Sequence, residues 1–303
     1  MTDDPCRAVG PARPLAEITR AAERRVAALA AGRNPALLAR VDAAIALLDQ
    51  TMPGRGHRDL PAELFPLVGD DAGFVPLLAA RLLAGIAARR PARAVPDPVL
   101  PELQRQAMRI LTLDAASLDD DGFLKDLSIC LLLSFPCGAQ VVEQTGCLPR
   151  MALPSGGITQ AMQLARHLAA TGYRPGPYLE IHTHTPMLGD FNPAGWERCY
   201  KLVADLLALR PDCLGMIGGS WFYDPALAMI SPRLTYLADT PIAGGAFRIR
   251  LGHSEADTGH ATATSPTRRK LVAEGRYLPT RWLLIWPREA LLTWAASRTG
   301  AIQ

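Results

Sequence analysis

The stretch from residue 177 to 222 constrains the fold more than any other. It reads "PYLEIHTH", then "NPAGWERCYKLVADLLALRP", then "CLGMIGGSWF". The first and last pieces are short and apolar, with β-branched and aromatic residues, and read as strands. The middle piece opens with Asn192 as a cap and Pro193 at the first helical position. Trp196, Tyr200, Val203 and Leu207 then recur at helical spacing, giving one buried stripe. If the strands are neighbours and parallel, the helix is their crossover. Ligands then gather beyond the carboxyl ends of the strands.

The same alternation continues to the C-terminus. "DPALAMISPRLTYL" reads as a helix interrupted near Pro232. "GAFRIRLG" reads as a strand, "SPTRRKLVAEG" as a short helix, "RWLLIW" as a strand and "PREALLTWAA" as the closing helix. Upstream, "LSICLLLSF" reads as a buried strand and "AQVVEQ" as its neighbour across "PCG". "GITQAMQLARHLAATG" reads as a helix stopped by Gly172. The first third differs. All five Trp and all six Tyr follow residue 170, and Phe65 and Phe74 are the only aromatics before residue 120. "NPALLARVDAAIALLDQ", "FVPLLAARLLAGIAARR" and "LPELQRQAMRILTLDA" read as helices there, and "RPARAVPDP" as a connector. The expected fold class is α+β: a helical N-terminal domain over 1–120, then a mixed-sheet α/β catalytic domain over 121–303.

With 32 basic and 29 acidic residues the net charge is +3. That gives no argument for nucleic acid or an anionic membrane as partner. No run approaches 18 apolar residues, so no membrane-spanning helix is expected. The first residues, "MTDDPCRAVGPARP", lack the apolar centre of a secretory signal, which makes cytoplasm the default location. Six cysteines, with no C-x-x-C, are expected to be reduced and structural. His57, in "PGRGHRD", reads as a solvated loop histidine.

On an extended strand, side chains alternate, so Glu180, His182 and His184 share one face. One strand face would then carry a carboxylate and two imidazoles. Asp190 could fold back as a third ligand, and His182, His184 and Asp190 would make a two-His-one-carboxylate set for Fe(II) or Zn(II). The spacing resembles half of a cupin motif and the "HTHT" opening of a PHP phosphoesterase. The helix at Asn192–Pro193 and the length of chain remaining supply neither motif's other half. The helix start at Asn192, Gly195 and Trp196 is a place where an anion such as a pyrophosphate can bind. Tyr223 stands at a strand-to-helix junction beside Trp221 and Phe222. Its alternatives are an exposed functional group and a packing aromatic.

The order strand 177–184, helix 193–208, strand 213–219, helix 225–238, strand 245–251 resembles the second half of the GNAT superfamily of acyl-CoA-dependent N-acyltransferases. The resemblance implies that the loop and helix after the first strand hold the CoA pyrophosphate. It implies that Tyr223 is the general acid toward the CoA thiolate, with Glu180, His182 or His184 as the acid/base group. The family's Q/R-x-x-G-x-G/A loop is replaced here by "HTPMLGDFNPAG".

A basic cluster, "GHATATSPTRRKLVAEGRYLPTRW", holds Arg268 and Arg269. It reads either as an anion pocket, contributing to cofactor binding, or as solvated charge. The expected function is an acyltransferase moving an acyl group from acyl-CoA to a small amine. The alternatives are a metal-dependent His-x-His enzyme and a non-catalytic anion-binding protein. Glu180, His182, His184, Tyr223 and one of Arg268 or Arg269 are expected to border one cleft.

Overall fold

A computed structural model describes residues 12–149 and 156–299. Cys6 and the rest of the N-terminal stretch read for a signal lie outside, except the three residues that open the first helix. The chain forms two compact units. Unit 1 comprises 1–143 and 183–189; unit 2 comprises 144–182 and 190–303. The expected boundary at residue 120 falls inside unit 1.

Unit 1 contains α1 (Ala12–Ala30), α2 (Pro35–Thr51), α3 (Leu64–Val68), α4 (Phe74–Ala84), α5 (Ile86–Arg89), α6 (Leu100–Ile110) and α7 (Asp121–Cys130). Asn34 caps α2 by accepting from the Ala36 amide at 2.9 Å, with Pro35 at the first position. α4 is buried nearly all round, and α1 lays Leu15, Ile18 and Ala22 inward. That i, i+3, i+7 spacing was present in the sequence, diluted by alanine and arginine on the other positions.

The run "LSICLLLSF" is not one strand. Asp120 accepts from the Gly122 amide at 2.8 Å and starts α7, which continues through Cys130. Leu132 adopts φ 56 and breaks the helix, and β1 (Ser134–Cys137) follows. β1 forms an antiparallel hairpin with β2 (Gln140–Gly146), pairing Ser134 with Glu143 and Cys137 with Gln140.

Unit 2 contains α8 (Gly157–Ala170), β3 (Tyr178–His182), α9 (Pro193–Leu209), β4 (Gly215–Ser220), α10 (Leu227–Ile230), α11 (Tyr236–Ala243), β5 (Phe247–Gly252), α12 (Glu255–Thr262), α13 (Pro266–Ala273), β6 (Arg281–Pro287) and α14 (Arg288–Thr299). The strand order is β1-β2-β3-β4-β6-β5. The sheet is mixed: β3 and β4 are parallel, while β6 is antiparallel to both β4 and β5. The class is therefore α+β, as the sequence implies. Gly172 ends α8 at φ 65. The stretch 224–237 is not one helix: α10, a 3-10 turn at Pro232–Leu234 and α11 divide it. α12 has no apolar period. Its start is set instead by Ser254, which accepts from the Asp257 amide at 3.2 Å.

Register and packing assign the two faces of the unit 2 sheet. Tyr178, Ile217, Ile249, Leu283 and Ile285 pack with Leu164 of α8 on one face. On the other, Tyr200 of α9 meets the rings of Trp286 and Trp294 edge-on at 5.2 and 5.9 Å. Among the described residues, no helix is long and apolar enough to cross a membrane.

Candidate functional site

The strand, helix, strand reading of 177–222 resolves into β3, α9 and β4, with β3 and β4 parallel neighbours. Their Cα partners are Leu179 with Met216 and Glu180 with Ile217. β3 runs on to His182 and β4 to Ser220, and Ile181 and Gly218 are still side by side one register step on. β4 carries Gly218 and Gly219 at this point. A Cβ on Gly218 would sit 2.6 Å from Ile181 Cγ1 and 3.3 Å from the Tyr223 hydroxyl. A Cβ on Gly219 would sit 3.0 Å from the Arg281 guanidinium, on the opposite face. The two glycines strip β4 of side chains where other groups must come close.

Alternation then places the expected residues. Glu180 and His182 lie on the α8 face and both are half-buried. Glu180 pairs with Ile217 through its backbone, and its carboxylate is in no ion pair among the described residues. Tyr223, in a 3-10 turn at Trp221–Tyr223, lies on the α9 face with Ile181 and Gly218. Its residue exposure is 1%, and its hydroxyl has no partner among the described residues. Burial, reinforced by nearby Cys199, raises its pKa well above the ordinary phenol value, so the proton stays on. The general acid and base expected in one wall of a cleft thus stand on opposite faces of the sheet.

His184 is not on the strand. β3 ends at His182 and the chain enters a 3-10 turn at Thr185–Asp190. Asp190 pairs with Arg198 at 2.9 Å. Among the described residues, neither His184 nor Asp190 belongs to a group of three metal-type donors, so the proposed His182, His184, Asp190 set is not assembled.

At the start of α9, the Asn192 side chain accepts from the Gly195 amide at 3.0 Å. Pro193 has no amide to give, which leaves Ala194 as the first-turn donor for an incoming anion. Gly195 is required by space, since a Cβ there would lie 2.0 Å from the Asp190 carbonyl oxygen. Trp196 is a core ring, edge-on to Phe191 at 5.4 Å and Phe222 at 5.8 Å. Arg269 donates to Thr262 and Ala263 carbonyls at 2.8 and 3.0 Å, capping the end of α12. Arg268 is buried, donating to the Ala261 carbonyl and, at 3.1 Å, to the Ser231 hydroxyl.

Unit 1 holds a polar cluster that the sequence reading passed over. His57 is not solvated; it is 5% exposed. The Glu143 carboxylate accepts from the His57 amide at 2.8 Å and contacts its ring Nδ1 at 2.7 Å. The ring Nε2 lies 3.4 Å from Asp121, which also pairs with Arg58 and Lys125. Those hydrogen bonds outweigh burial and hold the Asp121 carboxyl far below its usual range. His184 is held the same way. Its Nε2 is 2.9 Å from Asp126, which Arg109 also engages, while its buried Nδ1 has no partner among the described residues. A carboxylate on one ring nitrogen fixes tautomer and orientation, leaving the other for chemistry. The available signals were Asp126 inside the apolar "FLKDLSIC" and the glycines around "RGH". A Cβ on Gly56 would sit 3.0 Å from Glu143 Oε1, so a larger residue would crowd the carboxylate.

Comparison with known protein families, curated proteins and solved structures returned no match.

Proposed function

We propose that this protein is an acyltransferase that moves an acyl group from a CoA-type thioester to a small amine. The observation that carries the reading is the parallel pairing of β3 and β4, with α9 between them in sequence and Glu180, His182 and Tyr223 toward the strands' carboxyl ends. Ligands bind beyond the carboxyl ends of parallel strands in such folds. A thioester bound there would have Glu180 and His182 on one side and Tyr223 on the other.

In this reading the amine nitrogen loses its proton to His182, or to Glu180 through water, and attacks the thioester carbonyl carbon. The carbon–sulfur bond breaks. The departing thiolate takes the Tyr223 phenolic proton, which burial keeps in place until then. Solvent returns the base's proton to the phenolate. The positive end of α9 and the Ala194 amide would favour a donor phosphate. Isothermal calorimetry with acetyl-CoA and longer acyl-CoAs tests the proposal. Saturable binding is expected; no heat with any donor removes the reading.

A further inference from the structure

Away from the β3 and β4 strand ends, unit 2 contains a buried cation whose charge no carboxylate among the described residues balances. Arg268 is 4% exposed. Its guanidinium lies over the Trp221 ring at 4.7 Å. Nε donates to the Ala261 carbonyl and Nη1 to the Ser231 hydroxyl. A guanidinium has five N–H donors, so three remain beyond these two bonds. The charges that bear on it are those of Tyr277 and Arg233, a potential donor and a second cation. Among the described residues, no acidic side chain pairs with it. Leaving a charge in this state is expensive, and the usual remedy is a hydrogen-bonded anion.

Tyr277 supplies the second observation. It is 6% exposed, and its hydroxyl has no hydrogen-bond partner among the described residues. Burial raises its pKa, nearby Asp224 raises it further, and Arg268 acts on it in the opposite sense. It is therefore a protonated donor, and its backbone amide donates to the Leu271 carbonyl at 3.2 Å, one turn along α13 from Arg268. Asp224 itself is occupied by backbone, accepting from the Ala226 and Thr280 amides at 3.0 and 3.3 Å.

We infer that Arg268 and Tyr277 form a binding site for the carboxylate of a small monoanionic molecule. The guanidinium fork matches a planar carboxylate, and one negative charge balances the one buried cation. The phenol donates a further bond. This inference does not rest on the acyltransferase reading, whose donor would bind at the carboxyl ends of β3 and β4.

The test is titration with sodium acetate and sodium benzoate at constant ionic strength, reading the melting midpoint and tryptophan fluorescence, with inorganic phosphate as a parallel arm. A saturable rise in midpoint with the carboxylates is expected, and Trp221→Phe should remove most of the fluorescence response. Arg268→Lys should abolish saturation, although its loss of the α12 cap could also disturb folding. Tyr277→Phe avoids that difficulty. It removes a hydroxyl that has no partner, so the carboxylate-free midpoint should be equal or higher. Its apparent affinity for carboxylate should fall about tenfold, as expected for one hydrogen bond to a charged group. The inference is overturned by no saturable response to either carboxylate, by a response to phosphate alone, or by unchanged affinity in Tyr277→Phe. Acyl-CoA calorimetry can fail without touching any of these results.

Discussion

Glu143 holds His57 by two different atoms, its backbone amide and its ring, and both are shut away from water. Glu143→Gln keeps the shape but replaces one acceptor by an amide that donates. The ring contact then survives only with the imidazole proton moved to Nε2, and either way the pair loses its charged acceptor. The expected loss of stability is about 1–3 kcal/mol, measured by urea denaturation followed by far-UV circular dichroism. Tyr223 should behave in the opposite way. Its hydroxyl has no partner to lose, so Tyr223→Phe should leave stability unchanged or slightly raised. If Tyr223 is the proton donor, acyl transfer should slow by roughly 10²- to 10⁴-fold. Equal turnover by wild type and variant would take Tyr223 out of the chemistry. Neither environment was legible in the sequence. A histidine in a glycine-rich loop looks solvated because its partner is 86 residues away. Tyr223 could be located at its junction, but not assigned a face of the sheet.

Local patterns carried the elements well wherever caps and periodicity agreed. Asn34–Pro35 and Asn192–Pro193 mark the starts of α2 and α9, and Gly172 marks the end of α8. The reading failed where apolar character was uniform, as in 127–135, because a buried helix turn and a buried strand look alike without a period. It also failed where a helix is set by one cap, as in α12. The edge of the sheet shows a device that no local pattern could announce. β5 ends the strand order, and the Gln160 side chain of α8 pairs with it as another strand would. Its Oε1 accepts from the Arg250 amide at 2.7 Å and its Nε2 donates to the Arg250 carbonyl at 3.2 Å. Gln160→Leu should leave the Arg250 amide and carbonyl without their side-chain partner at an edge partly open to water. The expected cost is about 0.5–1.5 kcal/mol. The uncovered edge should also promote self-association at high concentration. Light scattering and thermal melts of the purified variant check both; a monodisperse variant of wild-type stability would show that Gln160 is only an ornament of the edge.

The two units differ in what can be seen of them. Every tryptophan lies between residues 196 and 294, all in unit 2, so tryptophan fluorescence reports that unit and far-UV circular dichroism reports both. This allows a pH-dependent term in unit 2 to be isolated. His167 of α8 is buried above the sheet, edge-on to Phe247 at 5.3 Å, with Nε2 2.6 Å from the Tyr178 hydroxyl. Burial raises the pKa of Tyr178, so the phenol donates and Nε2 accepts, which requires a neutral imidazole. Desolvation lowers the His167 pKa, favouring that same neutral form. A histidine whose folded pKa is depressed takes up its proton more readily in the unfolded chain. Stability from this group is therefore complete above the unfolded value of about 6.5 and falls as pH drops below it. The decline ends once the pH has passed below the folded pKa. The fluorescence-detected melting midpoint of wild type should accordingly fall as pH is lowered from 7.5 toward 5. In His167→Gln the slope over that window should be shallower, because glutamine can accept from Tyr178 and does not titrate there. Parallel slopes for the two proteins would mean that other groups set the acid sensitivity of unit 2, and that the His167–Tyr178 bond forms with either protonation state.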